Sequence, residues 1–306
     1  MRVVVVAGTG RSGTTVVTEL LARHPRTAFV SGLDDKLARL GLRGRWNGPL
    51  YRHVTAPRPP ALRAWSEAVG VLQRGRLGVR PSEAYDLLDR HVVAGWSRPV
   101  RDLVAEDMTP HVERRLRDFV EQRLEAQRAD VLVLHVTGWP RTGFLHAALP
   151  DLKVVEVVRD GRAVASSWLQ MGWWDGWQGP DKWLFGPLPP HLHEVWERSG
   201  HSFPVLAALG WQLLVEAAER ARDHHPAGAW LDLRYEDLLA DPGAAVRGML
   251  DLAGLDADPR FDAGVARHHL GGGRVDAYRR ELTPAQVADV EDAIGPALRR
   301  WGYQVG

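Results

Sequence analysis

The sequence predicts an α/β fold of three layers, in which a mostly parallel central sheet carries helices on both faces. Two observations predict it. Short apolar runs rich in β-branched residues occur at 3–7, 131–136, 154–158 and 230–233, the form taken by strands buried on both faces. Between them lies sequence of helical period, and strands alternating with helices build a parallel sheet covered on both sides. In such sheets ligands collect beyond the carboxyl ends of the strands, so the segment after each run is where function is sought.

Composition agrees. With 306 residues, 45% hydrophobic and 25% charged, the chain has an ordinary globular make-up, which excludes a disordered, collagen-like or coiled-coil protein. No repeat or low-complexity linker divides it, so residues 1–306 are read as one domain. Lys plus Arg is 39 and Asp plus Glu is 38, a net charge of +1, so no global field draws the chain to nucleic acid or anionic membrane. Any anion site must be local. The absence of Cys removes disulfides, thiolate zinc sites, iron–sulfur clusters and cysteine nucleophiles. Three lysines beside 36 arginines, with abundant Ala, Gly and Pro, read as the codon bias of a GC-rich bacterial genome. The apolar run at 3–7 is too short for a signal-peptide core, and no later stretch approaches about 18 uninterrupted apolar residues, so a cytoplasmic protein without membrane insertion is expected.

The first run stops at Gly8-Thr9-Gly10-Arg11-Ser12-Gly13-Thr14-Thr15, and a helical pattern over 14–23 follows, with Val16, Val17, Leu20 and Leu21 on one face. A glycine-rich turn between strand and helix lets backbone N–H groups surround a phosphate at a helix N-terminus. Gly8, Gly13 and Thr15 fit the nucleotide-triphosphate loop Gly-x4-Gly-Lys-Ser/Thr, which makes the expected fold like that of the P-loop-containing nucleoside triphosphate hydrolases. The lysine slot, however, holds Thr14. Loss of that lysine argues against metal-assisted phosphoryl transfer, and Arg11 is the charge available instead. Two other readings compete: a tight turn whose Ser and Thr cap the helix, and a dinucleotide fingerprint at Gly8, Gly10 and Gly13, whose acid would be Asp34, beyond Gly32 in a polar run.

From about 33 to 130 the strand signal fades into loops and helices, clearest at 82–95 and 110–127, which reads as a largely helical insertion or small cap. The run at 154–158 leads into Arg159-Asp160-Gly161 and a helix over 161–171; Arg159 at the strand end and Ser167 about two turns on can face one crevice, a second anion-binding constellation. The competing reading is an ordinary ion pair between Arg159 and Asp160. A segment at 168–196 carries six of the 13 Trp among several Gly and Pro, an ordered but irregular loop. A helix over 205–222 precedes the last strand run.

Together these motifs resemble the sulfotransferases that use 3′-phosphoadenosine-5′-phosphosulfate (PAPS), closest to the branch of tyrosylprotein and carbohydrate sulfotransferases and their bacterial relatives. Arg11 to Thr15 match that family's Arg-Ser-Gly-Thr-Thr loop, and Arg159 with Ser167 match its second element in type and spacing. Leu233-Arg234-Tyr235-Glu236-Asp237-Leu238 is similar to the family's Arg-Tyr-Glu-Asp-Leu segment, and His268-His269-Leu270-Gly271-Gly272-Gly273-Arg274 and Arg299-Arg300-Trp301-Gly302-Tyr303 resemble its closing segments. The resemblance implies transfer of a sulfuryl group from PAPS to a hydroxyl, or less readily an amine, of a small-molecule or glycan acceptor such as a natural product, with adenosine 3′,5′-bisphosphate (PAP) released and no metal required. It implies that Gly10, Arg11, Ser12, Gly13, Thr14 and Thr15 hold the 5′-phosphosulfate, with Arg11 also catalytic. Arg159 and Ser167 would hold the 3′-phosphate, with Arg274 folding over it and Tyr235 also at the nucleotide. A phosphotransferase with an altered loop, or a relative that binds nucleotide without catalysis, are the alternatives.

Two departures matter. In this branch an acid, usually Glu, follows the second strand as general base; here 27–36 contains no Glu, and Asp34 is the best candidate with Asp35 next, unless the pair caps a helix at 36–40. His53 and His135 are fallbacks. Many relatives also carry a Lys before the Pro-Arg of the third strand's turn, where this chain has Gly138 and Trp139, leaving Arg11, Lys36 or Arg141 to serve the leaving group. For the acceptor, Trp173, Trp174 and Trp177 offer aromatic faces to a sugar ring or apolar scaffold, unless they pack as a lid or in a homo-oligomer contact. Arg39, Arg43 and Arg45 would favour an anionic acceptor or form a solvated face.

Overall fold

The computed structural model describes residues 1–55, 78–265 and 275–306. Among them, five strands form one parallel sheet: β1 (Arg2–Gly8), β2 (Thr27–Phe29), β3 (Val131–Thr137), β4 (Lys153–Val158) and β5 (Trp230–Arg234), in the order β2-β3-β1-β4-β5. Four of them coincide with the apolar runs. The fifth, β2, is three residues long and fully buried; three residues are too few to give a periodic signal.

The alternation of side chains across β1 explains the three layers. Val3, Val5 and Ala7 pack with Leu116 and Phe119 of the helix Pro110–Gln127, while Val4 and Val6 pack with Leu20 and Leu21 of the helix Thr14–Leu21 and with Met249 and Leu250 of the helix Pro242–Ala253. Each buried Val or Leu contributes roughly 1.5–3 kcal/mol relative to exposure, so this stripe alone fixes which face each helix covers. A third apolar cluster lies beyond β4, where the helices Gly161–Trp168, Phe203–Arg222 and Pro284–Arg300 meet the Trp-rich loop. No helix among the described residues is long and apolar enough to cross a membrane.

Between β2 and β3 the described elements are helices and 3-10 turns, and one isolated bridge, Ser31 to Pro81, brings the returning chain beside the end of β2. The helix expected at 36–40 starts earlier, at Gly32–Lys36, followed by a 3-10 turn at Ala38–Leu40. Ser31 is its N-cap and Asp34 closes the capping box, which is why the helix begins there. The helix expected at 82–95 is confined to Tyr85–His91.

Winding reverses between β1 and β4. After β1 the chain goes to β2 and β3 on one side; after β3 it crosses to β4 and β5 on the other. Such a reversal leaves a crevice beyond the carboxyl ends of the two strands. Gly8 pairs with Val157 there, so the glycine-rich turn and Arg159 leave the sheet side by side. A Cβ on Gly8 would come within 2.6–2.7 Å of Ser12 Oγ, Thr14 Cγ2 and the Val157 carbonyl oxygen. Gly8→Ala is therefore expected to destabilise the fold by about 1–3 kcal/mol in urea titration; a loss below about 0.5 kcal/mol, the size of an ordinary surface change, would show that the turn relaxes.

Candidate active site

The turn after β1 owes its shape to three left-handed residues, Gly10 (φ 78), Arg11 (φ 58) and Gly13 (φ 102), the last being the N-cap of the helix Thr14–Leu21. Left-handed backbone is natural for glycine and costs Arg11 of order 1 kcal/mol. The turn leaves the backbone N–H groups of Gly10 to Thr15 without an acceptor among the described residues. Ser12 Oγ, fully buried, also has no partner. A row of unsatisfied donors at a helix N-terminus is an anion site.

The second corner is built at the end of β4. Asp160 caps the helix Gly161–Trp168, and its carboxylate is held by Arg162, whose guanidinium also reaches Glu291 of the C-terminal helix. The competing reading of Asp160 as the counter-ion of Arg159 therefore gives way to the Arg162 pair. The Arg159 guanidinium lies over the Tyr235 ring at 5.2 Å and donates from Nη1 to the Arg11 carbonyl at 3.2 Å. Burial lowers its pKa, with Tyr235 and Glu236 opposing. Its own carbonyl accepts from Trp211 Nε1 at 3.0 Å. Arg11 leans across the crevice, donating from Nε to Ser167 Oγ at 3.0 Å. Tyr235 in turn fills the space where Gly13 would carry a Cβ. The two corners thus meet through Arg11, Arg159, Ser167 and Tyr235.

A cavity of about 550 Å³ joins them, within the usual range for small-ligand sites. Its lining includes Thr9, Gly10, Arg11, Gly13, Thr14 and Thr15 from the turn and Arg159 and Tyr235 from the second corner. Ser12 and Ser167 stand behind this surface, both buried. Asp34 and Asp35 do not reach it. Asp34, 4% exposed, accepts from the Ser31 N–H and hydroxyl and from Asn47 Nδ2, so it is spent on the capping box. Asp35 accepts from Ser82 Oγ and the Leu87 N–H. Of the three Trp, only Trp173 lines the cavity; Trp174 is buried edge-on to Trp177 and near Phe203, and Trp177 packs on that pair from outside. Lys36, Arg39, Arg43, Arg45 and His53 are exposed, away from the cavity lining. Arg274 lies outside the described residues.

Two acids line the cavity: Asp175 of the Trp-rich loop, which accepts from the Leu184 N–H, and Glu83, from the short stretch before the helix Tyr85–His91. Thr137 at the end of β3 donates to Glu83 Oε1 at 2.8 Å, which leaves the Tyr85 hydroxyl to donate to Thr137 Oγ1 at 2.5 Å. Burial raises the Glu83 pKa; the Thr137 and Tyr85 hydrogen bonds and the Arg141 charge oppose it. Tyr85 is pushed up to about 12, mainly by burial, and remains a donor. His135, 5% exposed with Nε2 3.9 Å from Glu83 Oε1, is lowered to about 4 by burial and is neutral at pH 7. Arg141 is buried under the turn, donating to the Thr137 and Trp139 carbonyls and facing the Trp96 ring at 5.0 Å, so it holds backbone rather than reaching for a leaving group. Glu83 escapes a linear reading because it stands 54 positions past β2 in sequence. The signal that could reveal it is the Glu-x-Tyr spacing just ahead of a helix start.

A parallel sheet with a phosphate-type loop at its switch point, a second arginine corner and an acid in the same cavity define a protein of the P-loop-like fold class. Within that class, residues 3–259 match the model of the sulfotransferase family, and the chain belongs to that family. Carbohydrate sulfotransferase 2 of Homo sapiens is 27% identical over 198 residues, covering 50% of this chain and 35% of the relative, and the mouse protein matches equally. The chain thus spans about a third of the length of these relatives. Sulfotransferase STF9 from Mycobacterium avium superposes with a TM-score of 0.56 at 16% identity, over 99% of this chain and 78% of that one. Sulfotransferase STF1 from Mycobacterium tuberculosis H37Rv gives 0.50 at 18% identity, over 96% and 76%. These two likenesses are of fold.

The Asp160–Arg162–Glu291 network gives a stability test. All three side chains are at most 14% exposed, so Arg162→Ala strands two buried carboxylates. A loss of about 3–5 kcal/mol is expected in chemical denaturation; a loss below about 1 kcal/mol would mean that water replaces the guanidinium.

Proposed function

We propose that the chain moves a sulfuryl group from PAPS to the hydroxyl of a small-molecule or glycan acceptor, releasing PAP, with Glu83 as the general base. The observation that carries this reading is the meeting of two arginine corners in one cavity: a donor with charge at both its 5′ and 3′ ends needs two anion sites within the span of a nucleoside. In this reading the 5′-phosphosulfate takes the unsatisfied N–H groups of Gly10 to Thr15 and the Arg11 guanidinium, and Arg159 and Ser167 take the 3′-phosphate. Tyr235 keeps Arg159 aimed by lying beneath it.

The acceptor oxygen forms a bond to sulfur while the S–O bond to the 5′-phosphate breaks, and the electron pair leaves with that phosphate. Arg11 and the turn's N–H groups stabilise the charge growing there, in place of the lysine that Trp139 displaces. The acceptor proton goes to Glu83, whose raised pKa suits it to take a proton in the transition state. Thr137 and Tyr85 fix the orientation of that carboxylate. Thr14 in the lysine slot speaks against phosphoryl transfer from a metal-bound nucleotide.

Calorimetry tests the donor. PAP is expected to bind without added metal and ATP with Mg²⁺ to bind far more weakly; the reverse order would support a phosphotransferase. Arg159→Ala and Ser167→Ala should each weaken PAP more than adenosine 5′-phosphosulfate, which lacks the 3′-phosphate and feels these changes only through Arg11. Equal losses for both ligands would refute the assignment of that corner.

Transfer from labelled PAPS to an acceptor panel tests the base. Glu83→Gln should lower turnover by about 10²–10⁴-fold with donor affinity retained, whereas Asp34→Asn should act on stability rather than on turnover. A base must be ionised. Because the Glu83 pKa is raised, activity should fall as pH drops through a value above that of a free glutamate, and this acid limb should vanish in the Gln variant. Full turnover in Glu83→Gln would move the base elsewhere. PAP binding with no transfer to any acceptor would favour a nucleotide-binding relative without catalysis.

A further inference from the structure

Four arginines line the cavity: Arg11, Arg98, Arg141 and Arg159. Three are committed within the chain, Arg11 to Ser167, Arg141 to the carbonyls of Thr137 and Trp139, and Arg159 to the Arg11 carbonyl and the Tyr235 ring. The Arg98 guanidinium has no hydrogen bond or ion pair with any described residue. Nor do the cavity's acids balance it. Glu83 accepts from Thr137, and Asp175 accepts from the Leu184 N–H at 2.8 Å.

Arg98 comes from neither of the two donor corners. It lies between Ser97 and Pro99, and the same strip of chain abuts the Trp-rich loop, where the Val100 carbonyl fills the space that a Cβ on Gly186 would need. The lining also holds Pro99, Trp173, Leu184 and Phe185, and Arg98 itself is exposed, so the cavity combines apolar and aromatic surface with one unmatched positive charge. Phe185 is stacked on Trp168 at 5.1 Å and approaches Gly138, so this surface runs down to the end of β3, where Thr137 holds Glu83. The same cavity thus holds Glu83, Trp173, Phe185 and the Arg98 guanidinium.

Building on the sulfotransferase reading, we propose that the acceptor is a hydroxylated ring compound bearing a carboxylate, with Arg98 binding that carboxylate and Trp173 and Phe185 flanking the ring. Guanidinium pairs with carboxylate in a planar two-point contact. Arg98 is then a specificity-determining residue that the donor does not use.

The test is equilibrium binding to the PAP-loaded protein of two matched pairs, 4-hydroxyphenylacetate against 4-hydroxyphenylacetamide, and methyl β-D-glucuronide against methyl β-D-glucoside. In at least one pair the acid should bind about ten-fold more tightly than its neutral partner, the size of one charge-assisted contact. That ratio should fall to near one in Arg98→Ala and invert in Arg98→Glu, with PAP affinity unchanged in both. Equal binding of acid and neutral partner, a preference that survives in Arg98→Ala, or no binding of either acid would each overturn the proposal while PAP binding stands. Failure of the wild-type protein to bind PAP overturns the donor reading itself.

Discussion

The arrangement depends on one backbone pairing, that of β1 with β4 at the point where the sheet's winding reverses. Parallel register carries Gly8 opposite Val157, so two segments about 150 residues apart in sequence leave the sheet within a hydrogen bond of each other. Everything chemical follows from that adjacency. The turn after β1 supplies N–H groups, the turn after β4 supplies a guanidinium, and β3 and β5 on either side supply Thr137 and Tyr235. Gly8 is the residue this closeness demands, since its α-carbon faces the Val157 carbonyl with no room for a methyl group.

A second layer of polar contacts holds the corner rigid. Glu236 accepts from the Asp160 N–H and from the Tyr303 hydroxyl, while Arg162 joins Asp160 to Glu291. Both links end in the C-terminal part of the chain. The Arg-Tyr-Glu-Asp segment therefore combines two tasks: Tyr235 lines the cavity, and Glu236 ties the segment to Asp160 and Tyr303. Buried ion pairs bring little net stability when intact, but they are costly to break, which suits a device for fixing geometry.

How much of this was legible in the sequence varied with the physics. Both corners of the cavity were legible, because each is a contiguous motif following an apolar strand. The architecture was legible for a related reason: four strands buried on both faces leave unbroken apolar runs. The base was not. Asp34 follows β2 at the expected distance, yet its capping box uses up the carboxylate, while Glu83 arrives from far along the chain through the Ser31–Pro81 bridge. The Trp-rich loop was legible as a structured feature but not residue by residue. Trp173 and Trp174 are neighbours in sequence, and only the packing of the loop on the helix Phe203–Arg222 turns one to the cavity and the other into the core.

The contact from Arg11 to Ser167 makes the two ends of the ligand site energetically inseparable. A molecule that engages either end must first draw Arg11 away from, or share it with, the other. Affinities measured for fragments that carry a single phosphate will therefore not sum to that of the whole nucleotide, and the shortfall or surplus measures the work done by this one side chain.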